Sequence, residues 1–274
     1  MSVSPFLRKN LGMKDYRTII TTILNTVLYV DLNRPEIHNA FDDTLISELN
    51  DVCNVVKKNK NIRCLVITGK GKSFCAGADL NWMKKMKDFS FEENYQDSLC
   101  LSKMFHHLAS LSIPTIAKVN GATIGGGVGL VAACDLAISS SSSIFSLSEV
   151  RLGIVPACIS PYLIQKVNPG MLRSLFLTGT RFDAAKAKEI GLVHEISSPD
   201  MLDTTVDKIV QKILACGPNA LATAKELLSV IPGMSAEKYQ EYTARVIAHL
   251  RVSPEGQEGL SAFLEKRKPN WNKG

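Results

Sequence analysis

Asn120-Gly121-Ala122-Thr123-Ile124-Gly125-Gly126-Gly127-Val128-Gly129-Leu130 follows an apolar run, Ile113 to Asn120, and leads into a helical pattern from Gly127 to Cys134. The run reads as a strand, with Pro114 at its start, where a missing N–H is tolerated. Three consecutive glycines between strand and helix leave N–H groups uncovered at the positive end of a helix dipole. That is a site for an anion or an oxyanion. The same letters fit a second pattern. Gly127-Val128-Gly129-Leu130-Val131-Ala132 matches G-x-G-x-x-A, and Glu149 stands 20 positions beyond Gly129, the outline of a dinucleotide fingerprint. The chain beyond Ala132 fits that outline poorly. Short strands at Leu136 to Ser139 and Ile144 to Leu147 flank a five-serine run, Ser139 to Ser143, read as a loop.

Two further segments could carry chemistry. Upstream lies Phe74-Cys75-Ala76-Gly77-Ala78-Asp79-Leu80, just after a strand at Cys64 to Thr68. Its small residues let backbone approach a ligand, or simply make a strand-to-helix turn. Downstream lies Phe145-Ser146-Leu147-Ser148-Glu149-Val150-Arg151-Leu152-Gly153-Ile154-Val155-Pro156, in which Glu149 is the only acid between Asp135 and Asp183. A carboxyl among Leu, Val and Ile favours its neutral form, which suits general acid/base work. The competing reading is a Glu149–Arg151 surface pair. Asp135 reads as a buried structural carboxylate.

Outward from these segments the chain reads as strands alternating with helices, then helices alone, an α/β class. Arg17 to Leu32 reads as a hairpin broken at Asn25, and Asp42 or Asp43 caps a helix bearing Leu45, Leu49, Val52 and Val56. Phe91 to Leu111 reads as a long helix. Asp183 caps a helix ending at Gly191, and helices follow at Leu202 to Ala215, Asn219 to Ser229 and Ala236 to Leu250. Ser253-Pro254 starts the last helix, which reaches about Lys266. The division expected is residues 1–199 as the α/β core and 200–274 as a helical C-terminal region.

The 274 residues are 45% hydrophobic and 21% charged, which excludes a disordered or low-complexity chain. Seven cysteines, an odd number without a C-x-x-C pair, read as mostly reduced core residues of a cytoplasmic protein. No apolar run reaches the ~18 residues of a membrane span, and Met1 to Lys14 reads as a ragged basic start rather than a secretory signal. The net charge of +6 leaves nucleic acid, a membrane surface or an anionic ligand open. Lys57-Lys58-Asn59-Lys60 and Lys84-Lys85-Met86-Lys87 read as solvated helix ends, so no nucleic-acid partner is expected. His106, His107 and His194 lack ligand spacing, so no metal is expected.

Phe74 to Leu80, Gly121 to Asp135 and Ser148 to Pro156, in this order, resemble the crotonase (enoyl-CoA hydratase/isomerase) superfamily. The resemblance extends from Leu32-Asn33-Arg34-Pro35 and Asn39-Ala40 to Phe263-Leu264-Glu265-Lys266-Arg267-Lys268-Pro269. It implies a spiral of ββα repeats with a helical C-terminal trimerisation region, assembled as homotrimers or homohexamers. It implies a coenzyme A thioester as substrate and no permanently bound cofactor. By the family pattern the Ala78 and Gly126 N–H groups form the oxyanion hole, where losing one donor costs about 3 kcal/mol. The Ala76, Gly77, Asp79 and Leu80 backbone would hold the adenine end. Gly127 and Gly129 would belong to the substrate-binding residues, Phe263 and Lys266 would meet the nucleotide part, and Trp82 and Met83 would line the acyl pocket or pack in the core.

One departure from the pattern bears on mechanism. Typical hydratases of the family carry two glutamates; the later one is Glu149, but Gly129 stands at the earlier position. Pro156-Ala157-Cys158-Ile159-Ser160-Pro161 also replaces the familiar Pro-Gly-x-Gly-Gly. These changes resemble bacterial hydratases of methylglutaconyl-CoA or isohexenylglutaconyl-CoA, of leucine and acyclic terpene breakdown, whose substrates bring a carboxylate. The expectation is that this carboxylate, or a water held by the Gly129 backbone, replaces the missing glutamate. A Δ3,Δ2-enoyl-CoA isomerase needs only Glu149 and is the alternative, with an inactive acyl-CoA-binding relative behind it. A dienoyl isomerase fits less well, because Ala157 stands where that subgroup has an acid.

Overall fold

Strands β1 (Ile19–Leu24) and β2 (Val27–Leu32) form an antiparallel hairpin, paired from Ile19 with Leu32 to Leu24 with Val27. Its turn is Asn25-Thr26, with Asn25 left-handed at φ 56°, the conformation a tight hairpin demands. The computed structural model describes residues 14–272. These divide into two compact units, residues 14–111 with 115–207, and residues 112–114 with 208–272.

The first unit is built by repetition. Helix α1 (Asp43–Lys58) follows β2, capped by Asp42, whose carboxylate accepts from the Leu45 N–H. Next come β3 (Cys64–Gly69), β4 (Ser73–Cys75), α2 (Leu80–Met86) and α3 (Phe91–Ala109). Then follow β5 (Thr115–Val119), β6 (Ala122–Ile124) and α4 (Gly126–Ala133). A further turn of the chain gives β7 (Leu136–Ser140), β8 (Ile144–Ser146), a 3₁₀ turn at Glu149–Leu152, α5 (Ser160–Lys166) and α6 (Pro169–Thr178). Finally come β9 (Arg181–Asp183), α7 (Ala184–Glu189), β10 (Glu195–Ser197) and the start of α8 (Leu202–Leu214), which runs on into the second unit from residue 208.

Each repeat adds one strand to each of two sheets. The larger has the order β1-β2-β3-β5-β7-β10 and the smaller β4-β6-β8-β9. β3, β5 and β7 advance side by side in parallel, and β4, β6 and β8 advance beside one another in step. This is the spiral of ββα repeats that the resemblance implies. β3 is buried along its whole length, as a central parallel strand covered on both faces must be. The apolar face of α1, Leu45, Leu49, Val52 and Val56, and Met104, Phe105 and Leu108 of α3 complete the core.

Two sequence expectations need correction. β6 and β7 lie in different sheets, so β6–α4–β7 is no βαβ crossover within one sheet and the dinucleotide reading fails. The serine run is not only a loop: Ser139 and Ser140 belong to β7, and both are buried with Ser143. Their hydroxyls are all satisfied: Ser143 Oγ donates to Val119 O at 3.2 Å and Ser139 Oγ to Ser140 O at 3.0 Å, while Ser140 Oγ pairs with Ser142 Oγ at 2.8 Å. That satisfaction is what allows polar side chains at such depth.

The second unit is helical. It contains α9 (Pro218–Val230), α10 (Ala236–Val252) and α11 (Pro254–Leu264). The Glu255 carboxylate accepts from the Asn219 and Ala220 N–H groups, at 2.9 and 2.8 Å, at the start of α9. Ser253 caps α11 by accepting from the Gly256 N–H at 3.0 Å. Beyond α11, the Arg267 guanidinium grips both Glu258 oxygens, at 2.7 and 2.9 Å, a forked geometry that fixes the returning chain. Among the described residues, no helix is long and apolar enough to cross a membrane.

Candidate active site

The carboxyl ends of parallel β4, β6 and β8 bring together Ala76–Ala78, Gly125–Gly126 and Leu147–Glu149. The pairing is Cys75 with Thr123 and Ile124 with Ser146. Ligands of open parallel sheets collect at such strand ends. Two turns there need positive φ: Gly77 at 87° and Gly125 at 51°. A Cβ on Gly77 would lie 3.0 Å from Ile124 O, and one on Gly125 3.1 Å from Glu149 Oε1. The three segments are therefore in contact.

The N–H groups have different fates. Phe41 forms an isolated parallel bridge with Ala78. Phe41 N donates to Gly77 O at 2.6 Å, and Asp79 N donates to Phe41 O at 2.8 Å. In such a bridge the groups flanking Ala78 turn toward Phe41, and the Ala78 N–H turns away. Among the described residues, neither the Ala78 nor the Gly126 N–H has a hydrogen-bond partner. Gly126 is the first residue of α4, where an N–H has no intrahelical acceptor. Ala78 is exposed and Gly126 half-buried. Lys166 Nζ, at the opposite end of α4, donates to the Cys134 carbonyl, a cation where the helix dipole is negative.

Glu149 opens the 3₁₀ turn that follows β8. Its Oε2 is buried and without a hydrogen-bond partner. Burial pushes its pKa above the usual glutamate value of 4.5, only partly opposed by a hydrogen bond from its own N–H. The Glu149–Arg151 surface pair is not formed. Arg151 instead donates to Thr178 O at 3.3–3.4 Å. Glu149 is thus a half-buried carboxyl whose neutral form is favoured, suited to binding or giving up a proton.

Packing within the chain already engages several of the residues expected at the ligand. Gly129 is buried in α4, and its N–H already donates to Gly125 O at 3.2 Å. A Cβ there would lie 2.1 Å from Ile159 Cγ2 and 2.9 Å from Phe105 Cζ. The Gly129 N–H is thus engaged within α4 rather than free to hold a water, and the space a side chain would occupy is filled. Gly127 is buried likewise, its Cα face against Cys75 O. Asp79 caps α2 with Oδ1, accepting from Asn81 N at 2.7 Å, and binds Arg34 with Oδ2 at 2.9 Å. The Ala76 N–H is taken by His38 O at 3.0 Å, and Gly77 is buried. Leu80, by contrast, is 74% exposed. Trp82 is buried and donates through Nε1 to Asp97 at 3.2 Å.

In the helical unit, Phe263 is 82% exposed near the end of α11, and Lys266 follows in the left-handed conformation at φ 55°. Sequence reasoning missed Phe41, whose ring lies 3.0 Å from a Cβ on Gly126, and gave no role to Ile159. Asp42 and Asp79 each stand at a helix start, a signal that both carboxylates have capping work. Among the described residues no group of three or more His, Cys, Asp or Glu is placed to hold a metal.

Uncovered N–H groups at a strand end and a helix start, beside one half-buried carboxyl, are an arrangement chemically able to steady an oxyanion while moving a proton. The enoyl-CoA hydratase/isomerase family profile matches residues 22–274. The crotonyl-CoA hydratase of Syntrophomonas wolfei is 33% identical over 89% of this chain and 93% of its own. An enoyl-CoA hydratase structure from Shewanella pealeana is 39% identical, with TM-score 0.90 over 97% of this chain and 98% of its own. Pseudomonas aeruginosa AtuE is 32% identical, with TM-score 0.91 over 94% of this chain and 100% of its own. This chain belongs to the enoyl-CoA hydratase/isomerase family of the crotonase superfamily, an enzyme of hydro-lyase or isomerase type.

Proposed function

We propose that this enzyme adds water across the α,β double bond of an acyl-CoA thioester. The Ala78 and Gly126 N–H groups receive the thioester oxygen as it gains charge, and the α4 dipole adds to their field. Ionised Glu149 takes a proton from water as the oxygen attacks C3, then returns that proton to C2 of the enolate. The observation that carries this reading is the buried, unpartnered Glu149 Oε2 beside Gly125. A carboxyl so placed can act as base and then acid, because its two forms lie closer in energy than in water.

The reading extends to the rest of the chain. Coenzyme A is bound as part of the substrate, with no resident cofactor. Ala76 and Leu80 border its adenine end, and Phe263 and Lys266 meet the nucleotide. Residues 200–274 form an oligomerisation region of a cytoplasmic homotrimer or homohexamer. Leu228, Val252, Leu260 and Leu264, exposed by 51–80% in the single chain, support a covered surface there. The acyl group carries a distal carboxylate, as in methylglutaconyl-CoA, which orients the attacking water by hydrogen bonding, the part left open by the absence of a second carboxyl at Gly129, while Glu149 carries the proton.

The filled space at Gly129 favours a second reading, migration of a Δ3 double bond to Δ2, with Glu149 carrying the proton from C2 to C4. A panel of enoyl-CoAs with and without a distal carboxylate, scored for hydration and for migration, separates the two. Replacing Glu149 by Gln should abolish turnover and leave acyl-CoA affinity in place. Turnover by the Gln variant would remove Glu149 from the reaction, and equal hydration of both substrate classes would refute the distal carboxylate. Absence of wild-type turnover across the panel would mark an acyl-CoA binder.

A further inference from the structure

Arg34 joins the starts of two helices. Its Nη2 lies 2.9 Å from both Asp42 Oδ2 and Asp79 Oδ2, and Nη1 donates to Ala40 O at 2.6 Å. Each aspartate divides its labour in the same way. Oδ1 of Asp42 caps α1 and Oδ1 of Asp79 caps α2, while both Oδ2 atoms face Arg34. The three side chains are only 8–19% exposed. Between the two aspartates lies the Phe41–Ala78 bridge. The loop bearing Arg34 is itself anchored, since buried Asn39 accepts from Arg34 N at 2.9 Å and donates to Lys70 O and Ser73 O at 2.9 and 2.8 Å.

We infer that Arg34 is a positioning residue for the oxyanion-binding N–H groups, acting through Asp79, Asp42 and the Phe41 bridge. The inference rests on the proposed oxyanion role of Ala78 and Gly126. The direction of the Ala78 N–H is set by the register of that bridge. The register is held where Asp79 and Asp42 are drawn to one guanidinium. Phe41 carries the effect to Gly126 as well, because its ring packs against that residue. A lysine retains the charge but offers no planar fork to span two carboxylates and a carbonyl.

The test uses Arg34→Lys and Asp79→Asn in the full-length enzyme, the second keeping an oxygen for the α2 cap. The probe is acetoacetyl-CoA, a thioester whose enolate carries its charge on the same oxygen and absorbs in the ultraviolet. Losing a whole donor costs about 100- to 1000-fold in kcat, so a displaced donor should cost about 10- to 100-fold. KM should stay within about threefold, because the ground-state thioester carries little charge. The bound acetoacetyl-CoA should ionise at a pH higher by about 1 unit than in the wild type, the same tenfold read at equilibrium. Variants that lose only thermal stability, with kcat and enolate ionisation at wild-type values, would overturn the inference. Should Arg34→Lys not fold, Asp79→Asn alone decides. If the wild type binds acetoacetyl-CoA without promoting its ionisation, the oxyanion assignment itself falls, and the role of Arg34 with it.

Discussion

Adding a single methyl group at Gly129 tests whether Ile159 fills the space beside it. A Cβ there would meet Ile159 Cγ2 at 2.1 Å, where ordinary contact begins at 3.4 Å, and Phe105 Cζ at 2.9 Å. Ile159 is 3% exposed and Phe105 fully buried, so neither retreats freely. Overpacking of this kind costs about 1–3 kcal/mol. The retreat of more than about 1 Å puts this site at the upper end, while replacing a helical glycine by alanine returns about 1 kcal/mol. Gly129→Ala should therefore lose about 2 kcal/mol. Ile159→Ala alone should lose about 3 kcal/mol, within the range for a buried isoleucine. In the double variant the 2.1 Å clash with Ile159 Cγ2 is gone, and only the 2.9 Å approaches to the remaining Cβ and to Phe105 Cζ are left to relax. The combined loss should fall short of the sum by about 2 kcal/mol, a coupling of the size found between residues in contact. Urea unfolding at one fixed protein concentration measures the cycle, since oligomers are stabilised by mass action. Additivity within about 0.5 kcal/mol would refute the packing argument. The same geometry predicts that Gly129→Glu is tolerated only with Ile159→Gly. That pair should hydrate crotonyl-CoA faster than Ile159→Gly alone.

Glu149 has a folded pKa raised by burial, so between the usual glutamate value and the raised one the folded state binds more protons than the unfolded. Stability must then fall as pH rises through that window. Glu149→Gln should be the more stable protein at about pH 7, with the advantage fading below about pH 4; an equal difference in urea at both values would contradict desolvation as the cause. For the same reason the acid limb of the wild-type kcat/KM profile should lie above the 4.5 of an ordinary glutamate, and a limb at or below that value would count against Glu149 as the base. Phe263→Ala and Lys266→Ala should each raise KM for acyl-CoA and leave kcat near wild type, the lysine effect shrinking as salt is added; a fall in kcat at constant KM would place these residues elsewhere in the cycle. Ser253→Ala removes the α11 cap and should cost about 1 kcal/mol in urea unfolding, against a few tenths for Ser253→Gly.

The legible and illegible parts of this protein divide by the range of the interaction. The glycines of Gly125 to Gly127 were readable because their demand is local: a positive φ at Gly125 and an uncovered helix start at Gly126. Asn25 at the hairpin turn and the helix starts at Asp183 and Ser253 were readable for the same reason. Glu149 stood out because no other acid lies near it in the chain, and burial within the fold adds the shift that isolation alone could only suggest. What local reading could not reach depends on strands that meet only when the spiral closes. Nothing in Phe74 to Leu80 says that Ala78 will bridge to Phe41, yet that bridge turns its N–H outward. Nothing at Gly129 says that Ile159 will lie against it, yet that contact fills the space a side chain would need. The family resemblance assigns Asp79 to the ligand loop through its backbone; nothing in its segment says that its carboxylate will be engaged by Arg34 from 45 positions away. The two sheets advance together, one strand per repeat, and this common step sets the neighbours at the strand ends. The single carboxyl at the proposed site is therefore a property of the packing as much as of the sequence. Restoring a second one requires changing α4 and the segment before α5 at once.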